Sequence, residues 1–502
     1  MRELKELALM IDPSELRLTT NNLLSFDGDS KLASLYKGLV EGIYNSDDEA
    51  VLDLYPDNPK SSSYRKLKST LKKRLKDAVL LFDERKKDYT DYQKAYYQCY
   101  KEWAVVKILL GQNAREAAVD VALGIIKKAQ KFEFTDLVMD IASVLRLHYG
   151  ARLGDAEKFN QYNKIFKQYR DLYFLEEEAQ EAYIDLIINY VNNRSPKSNH
   201  HEEALAAVER LKPKNKFQES RQLQLCRFLI ELMATTTVYD YPAALEVCNR
   251  AIDFFNKKPY DIKLPLQIFY YQMLVCHVQL GEFQKGKATA EKCLSLMMDG
   301  SFNWFKYQEL YIILAFHTEE YEEAAQIFEK TTQHQRFEFL PDNVAEIWKI
   351  YQAYLYFLKI TGKIKAMPDS TGEIEAFRLG KFLNEVMIFS KDKSGLNAAI
   401  LIAQIMILIS EQRYDESIDR IETTQQYCYR YLKTDHTQRT YLFLKMLLKV
   451  PHLGFDKSVI LQKTQKTLDQ LKAIPLEVAN QAVEIEIIPY EKLWQYLLDA
   501  LN

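Results

Sequence analysis

The chain has 502 residues, 47% of them hydrophobic and 27% charged, with a net charge of −3. This near-neutral balance gives no global reason to bind nucleic acid or an anionic membrane surface. Its 15 glycines and 13 prolines fall far below the usage of about 7% and 5% in average proteins, so long elements joined by short loops are expected.

The opening MRELKELALMIDPSEL lacks the apolar run of a signal peptide. Asp29-Ser30 reads as the N-cap of a helix through Ile43, and Ser46-Asp47-Asp48-Glu49 caps a short helix ending near Leu54-Tyr55. A longer helix starts at Ser61–Ser63 and runs to about Phe82, with an apolar stripe of Tyr64, Leu67, Leu71, Leu75, Ala78, Val79 and Phe82. Its other face is basic. Residues 60–76 hold Lys60, Arg65, Lys66, Lys68, Lys72, Lys73, Arg74 and Lys76 with no acidic residue, which leaves −11 for the rest of the chain. Residues 1–90 form an N-terminal helical cap in this reading. Helix, short helix, turn and basic helix is also the order of a helix-turn-helix unit. The stretch LYPDNPKSSSYRKLKSTLKKRL resembles the start of the recognition region in winged-helix domains fused to tetratricopeptide arrays in bacterial activators, but no wing follows it.

From residue 91 to 475 the amphipathic period is helical almost throughout. Ile268–Leu296 gives the clearest unit: a first helix ends at Leu280-Gly281, Phe283 follows the turn, and a second helix carries Gly286, Ala290 and Cys293. The layout recurs at Phe305–Thr332, with Tyr321-Glu-Glu-Ala324-Ala325, and at Ala398–Thr424, with Arg413-Tyr414-Asp-Glu-Ser417. Looser copies are placed at Tyr96–Gln130, Phe134–Leu172, Glu181–Leu211, Glu219–Phe255 and Trp348–Met387, and a further helix pair at Thr437–Leu471. Polar, proline-containing breaks fall at 192–201, 257–265 and 363–373. These units resemble the tetratricopeptide repeat, with uneven spacing and several copies lacking the consensus glycine and proline. The resemblance implies an all-α fold, a right-handed solenoid of helical hairpins. Residues 476–502 are read as an extended link through Val483-Glu-Ile-Glu-Ile-Ile488 and a capping helix at Tyr490–Leu501.

No catalytic constellation emerges from the sequence. Gly281-Glu-Phe-Gln-Lys-Gly286-Lys287-Ala288 misses the phosphate-binding loop at its hydroxyl position. His200-His201 falls in a predicted loop and reads as incidental, and Cys276-His277 are helix neighbours about 100° apart. The six cysteines, Cys99, Cys226, Cys248, Cys276, Cys293 and Cys428, are irregularly spaced and are expected to be buried thiols. The most apolar stretch, Ala398–Ile409, is too short to span a bilayer. A cytoplasmic protein with no cofactor, no metal and no membrane contact is expected.

Stacked hairpins leave a concave face lined by first helices. The resemblance places Ile268, Tyr271, Val275 and Val278 there in one repeat, Lys306, Glu309, Ile313 and Phe316 in the next, and Ala399, Ile402, Met406 and Ile409 in another. Two of these three sets are wholly apolar or aromatic, which suits an amphipathic helix or an extended peptide, or the space is filled by the chain itself, for instance by the helix around Trp494. The expected function is a non-catalytic protein-binding scaffold or adaptor. The alternative is a DNA-binding regulator in which Arg65, Lys68, Lys72, Lys73 and Lys76 contact phosphate and the array senses a peptide or dimerises.

Overall fold

The computed structural model describes residues 1–10, 30–56, 62–80, 89–191, 197–364, 377–385, 396–431, 438–474, 476 and 486–501. Among these residues it contains 22 α-helices and no strand. The chain divides into two compact units, Met1–Glu177 with Pro259–Asp261, and Glu178–Lys258 with Ile262–Asn502.

The first unit opens with α1 (Arg2–Met10), α2 (Lys31–Val40), α3 (Asp47–Leu54) and α4 (Ser62–Val79). Ser30 accepts from the Ala33 N–H, and Ser46 and Glu49 form the reciprocal capping box that starts α3. α2 ends at Val40, short of the expected Ile43, and the part of α4 expected beyond Leu80 lies outside the described residues. Leu35, Leu39, Leu71 and Leu75 are fully buried in the core of this bundle. The unit continues through α5 (Asp91–Gly111), α6 (Arg115–Lys131) and α7 (Thr135–Leu147), with α6 packed on α5 and α7 on α6. A π-helical turn at His148–Arg152 follows α7.

Helix α8 (Ala156–Val191) overturns one expectation. The sequence reading ends one hairpin at Leu172 and starts the next at Glu181, yet a single 36-residue helix runs through both. Its sequence has no glycine or proline from Ala156 to Val191, so nothing local interrupts the i→i−4 ladder. The boundary between the two units falls inside this helix.

The second unit carries α9 (Lys197–Arg210), α10 (Arg221–Thr236), α11 (Tyr241–Asn256), α12 (Lys263–Leu280), α13 (Phe283–Leu294), α14 (Phe302–His317), α15 (Tyr321–Thr332) and α16 (Asp342–Ile360). It continues with α17 (Leu379–Glu385), α18 (Leu396–Ser410), α19 (Tyr414–Tyr431), α20 (Gln438–Leu447), α21 (Lys457–Lys472) and α22 (Tyr490–Ala500). Most consecutive helices pack on one another. Alternate first helices also touch, α12 with α14, α16 with α18, and α18 with α20. Two expected breaks are partly helical, since α9 already covers Lys197–His201 and α12 includes Pro265 in its first turn, where its missing N–H costs nothing. Gly286 meets the close approach expected of it: a Cβ there would lie 2.5 Å from Leu314 Cδ2 and 3.2 Å from His277 Cβ.

One turn recurs along both units. The residue two positions before a helix start is left-handed at Asn113, Glu133, Gly154, Tyr239, Gly281, Glu319, Gln412 and Phe455, with φ between 57° and 66°. In six of these turns the next residue donates its N–H to the carbonyl five residues back: Ala114 to Leu109, Phe134 to Ala129, Asp240 to Thr235, Glu282 to His277, Glu320 to Ala315 and Arg413 to Leu408, all at 2.9–3.0 Å. This is the Schellman closure of a helix, which satisfies a carbonyl that the helix end leaves open. Two of the eight left-handed residues are glycine, so the turn is held largely by its surroundings and not by composition.

Candidate protein-binding surfaces

The basic helix α4 is partly neutralised within its own bundle. Lys68 Nζ donates to both carboxylate oxygens of Asp47 at 2.7 and 2.8 Å, and the Tyr64 hydroxyl donates to the same group at 2.8 Å. Burial opposes the Asp47 charge, but these donors hold its pKa below the ordinary carboxylate value. Lys72 Nζ lies 2.5 Å from Glu3, and that hydrogen bond lowers the Glu3 pKa. Arg65, Lys73 and Lys76 are exposed. The sequence run reveals the positive face but not its partners, because Glu3 and Asp47 come from α1 and α3.

The residues expected on a concave face divide by burial. On α12, Tyr271 is 37% exposed and Ile268 half-buried, whereas Val275 and Val278 are buried. On α14, Ile313 and Phe316 are buried in the main core, and Lys306 and Glu309 are half-buried and paired at 2.8 Å. Burial pushes the Glu309 carboxyl above the usual range against the pull of Lys306. Ala399, Ile402, Met406 and Ile409 of α18 are all buried.

One open cleft of ≈200 Å³ includes a member of the expected set. It is walled by Tyr183 and Ile187 of α8, Leu229 and Met233 of α10, and Gln272 and Val275 of α12. Ile184 and Ile188, neighbouring positions on α8, are exposed. The contributions of α8 and α10 escape a reading built on the three best repeats. The available signal is the i, i+4 spacing of Tyr183 with Ile187 and of Leu229 with Met233. A second cleft, of ≈510 Å³, lies in the first unit beside the π-helical turn, with Leu147, Gly150, Ala151 and Phe159 among its walls. Arg146, its one charged wall, stacks on Phe166 at 3.6 Å and donates to Asn163.

The final segment docks on the second unit's own helices. α22 packs on α18, α20 and α21. The Tyr490 ring stacks on Phe443 at 4.4 Å, and Trp494 meets the same ring edge-on. Arg439 of α20 is the polar centre. Its guanidinium donates to both oxygens of Glu486 (2.9 and 2.7 Å), to Glu491 (2.9 and 2.8 Å), and to the carbonyls of Leu471 and Ile474. Burial works against its charge, yet the two carboxylates hold its pKa above the ordinary guanidinium value. Burial likewise pushes the Glu486 carboxyl upward, opposed by Arg439. His317 of α14 bonds the Glu486 carbonyl at 2.7 Å; burial, with Arg439 adding to it, lowers its pKa to about 4. A neutral ring fixes the roles, with Nε2–H as donor.

The histidine pair departs from its expected loop. His200 is buried on α9, and His201 Nδ1 lies 2.7 Å from the Ala234 carbonyl. His277 pairs with Glu282 at 3.0 Å, and burial pushes the adjacent Cys276 thiol up to about 12. Cys99, Cys226, Cys248, Cys276 and Cys293 are buried free thiols. Among the described residues no cluster of three or more His, Cys, Asp or Glu could hold a metal ion, and no helix is long and apolar enough to cross a membrane. Compared with protein-family models, curated proteins and solved structures, the chain matches none of them.

Proposed function

We propose that this protein is a non-catalytic, cytoplasmic scaffold that binds a protein or peptide partner through a tetratricopeptide-like array of helical hairpins. The recurrent Schellman turn and the contacts between alternate first helices support the hairpin-array reading. The observation that carries the function is the cleft walled mainly by α8, α10 and α12, where apolar side chains from three helices converge beside the polar Thr236, Thr237 and Gln272. Such a surface accepts the apolar face of an amphipathic helix or alternate side chains of an extended peptide. Thiols whose pKa is raised by burial, up to about 11 for Cys99, are inert structural groups and not nucleophiles.

The test is selection of peptides from a displayed library on the immobilised protein, followed by affinity measurement on Tyr183→Glu/Met233→Glu. Both side chains are half-buried, so the variant should keep its helical circular dichroism and lose the selected peptides at least tenfold. Equal binding by the variant would rule the cleft out.

A DNA-binding role rests on exposed Arg65, Lys73 and Lys76, with Lys68 and Lys72 already committed to carboxylates. Titration with random-sequence duplex DNA over a salt series reads it directly, because each phosphate neutralised steepens the salt slope by about 0.9. No binding at low salt leaves α4 as a solvated structural face.

A further inference from the structure

The cleft of ≈510 Å³ in the first unit is built by the end of α7, the π-helical turn His148–Arg152 and the start of α8. The turn shapes it. The Leu153 N–H donates to the His148 carbonyl five residues back at 3.3 Å, the wide winding that recurs at functional sites in helices. Gly150 within the turn lets the Phe159 ring close in, since a Cβ there would lie 2.6 Å from Phe159 Cδ2. The walls are mostly apolar or small, with Leu147, Ala151, Ala156 and Phe159 among them, and Leu147 is 62% exposed. The volume falls within the range of about 300–1,000 Å³ that holds a small organic ligand.

Arg146 is the one charged group on these walls. Its guanidinium lies 3.6 Å from the centre of the Phe166 ring and gives an N–H to Asn163 Oδ1 at 3.2 Å. Ring stacking and that hydrogen bond fix the plane of the cation. Among the described residues no carboxylate pairs with it, so four of its five N–H groups have no protein acceptor. Asp155, between the wall residues Gly154 and Ala156, is already engaged by Lys158, through the backbone N–H at 2.9 Å and Nζ at 3.8 Å. We propose that this cleft binds a small monocarboxylate with an apolar body. The carboxylate sits on Arg146, whose planar fork matches it with two parallel N–H···O bonds, and the apolar body lies against Leu147, Ala151 and Phe159. A single cation sets the class: a second negative charge on the ligand would meet no counter-charge on the walls. The site shares no residue with the cleft of α8, α10 and α12, and the inference stands whether or not that cleft binds a peptide.

The test uses the full chain and three probes, 4-phenylbutanoate, octanoate and 2-naphthoate, each beside its primary amide, which keeps the apolar body and loses the charge. Isothermal titration calorimetry should show at least one carboxylate binding tenfold or more tightly than its amide. Arg146→Gln should weaken that carboxylate at least tenfold and leave the amide unchanged. Leu147→Glu sets a like charge on an exposed wall position, where the fold is not at stake, and should weaken the carboxylate as much. Circular dichroism confirms that both variants keep their helices. Three results overturn the site: no carboxylate binding at millimolar concentration, equal affinity for carboxylate and amide, or wild-type affinity in folded Leu147→Glu.

Discussion

The two regions of concentrated charge, α4 in the first unit and the Arg439 centre in the second, behave in opposite ways. Helix α4 draws the eye in the sequence, with eight basic residues in 60–76, yet its ion pairs sit at the surface: Asp47 is 46% exposed beside Lys68. Water already solvates both members of such a pair, and holding two flexible side chains together offsets most of the Coulomb gain. Arg439 stands alone in its stretch, and its side chain is 11% exposed against 7% for Glu486. A guanidinium taken out of water must find acceptors for all its N–H groups, and removing either side leaves a buried charge uncompensated. Charge density along a sequence therefore says little about where charge matters. Burial decides it.

The largest effect expected from this contrast is at the buried centre. Arg439→Met should destabilise docking of residues 490–500 by about 3–5 kcal/mol, because two carboxylates lose their partner; hydrogen exchange of that segment reads the loss. Making the whole group neutral, with Glu486→Gln and Glu491→Gln added to Arg439→Met, should recover part of it.

His317 gives the next effect, through pH. Its folded pKa of about 4 lies below the unfolded value of about 6.5, so between these values the unfolded chain holds the extra proton. Its contribution is fully present above pH 6.5 and is lost as pH falls toward 4, a change of roughly 3 kcal/mol. Urea unfolding at several pH values should show that dependence in the wild type, and His317→Gln should be flatter by that amount. Equal pH profiles would place a charged or solvated ring there.

A smaller, opposite effect is expected in the turns. Gln412 is left-handed with φ 59°, a region that costs an L side chain about 1 kcal/mol or more relative to glycine. Gln412→Gly should stabilise the protein by about that much, less the entropy glycine adds to the unfolded chain, measured by thermal unfolding. The smallest effect is at α4, where Lys68→Gln should cost less than about 1 kcal/mol after solvent screening and less again in high salt. A larger loss would remove the contrast between the two regions.

The elements were largely legible because helical periodicity is local. Apolar side chains recurring every three to four positions define a buried face whatever that face meets, so α10–α16 and α18–α21 follow the hydrophobic pattern closely. Caps were legible where the side chain acts on its own backbone, as at Ser30 and Ser46. The recurrent turn was not, since Glu133, Tyr239 and Phe455 carry no composition signal for a left-handed backbone. Nor was the fusion of two expected helices into α8, because weak polar stretches mimic a boundary when no glycine or proline marks one.

By itself the sequence determined an all-helical chain, the apolar face of most helices, the basic run at 60–76 and the close approach at Gly286. Those properties are set by residues within a few turns of one another. Only the tertiary structure decided which apolar faces are covered and which charges are paired. Ile313 and Phe316 lie in the core while Tyr271 stays half open, and Arg439 finds Glu486 and Glu491 about fifty residues along the chain. Such pairings depend on how helices stack, and no local pattern encodes the identity of the surface that a helix finally meets.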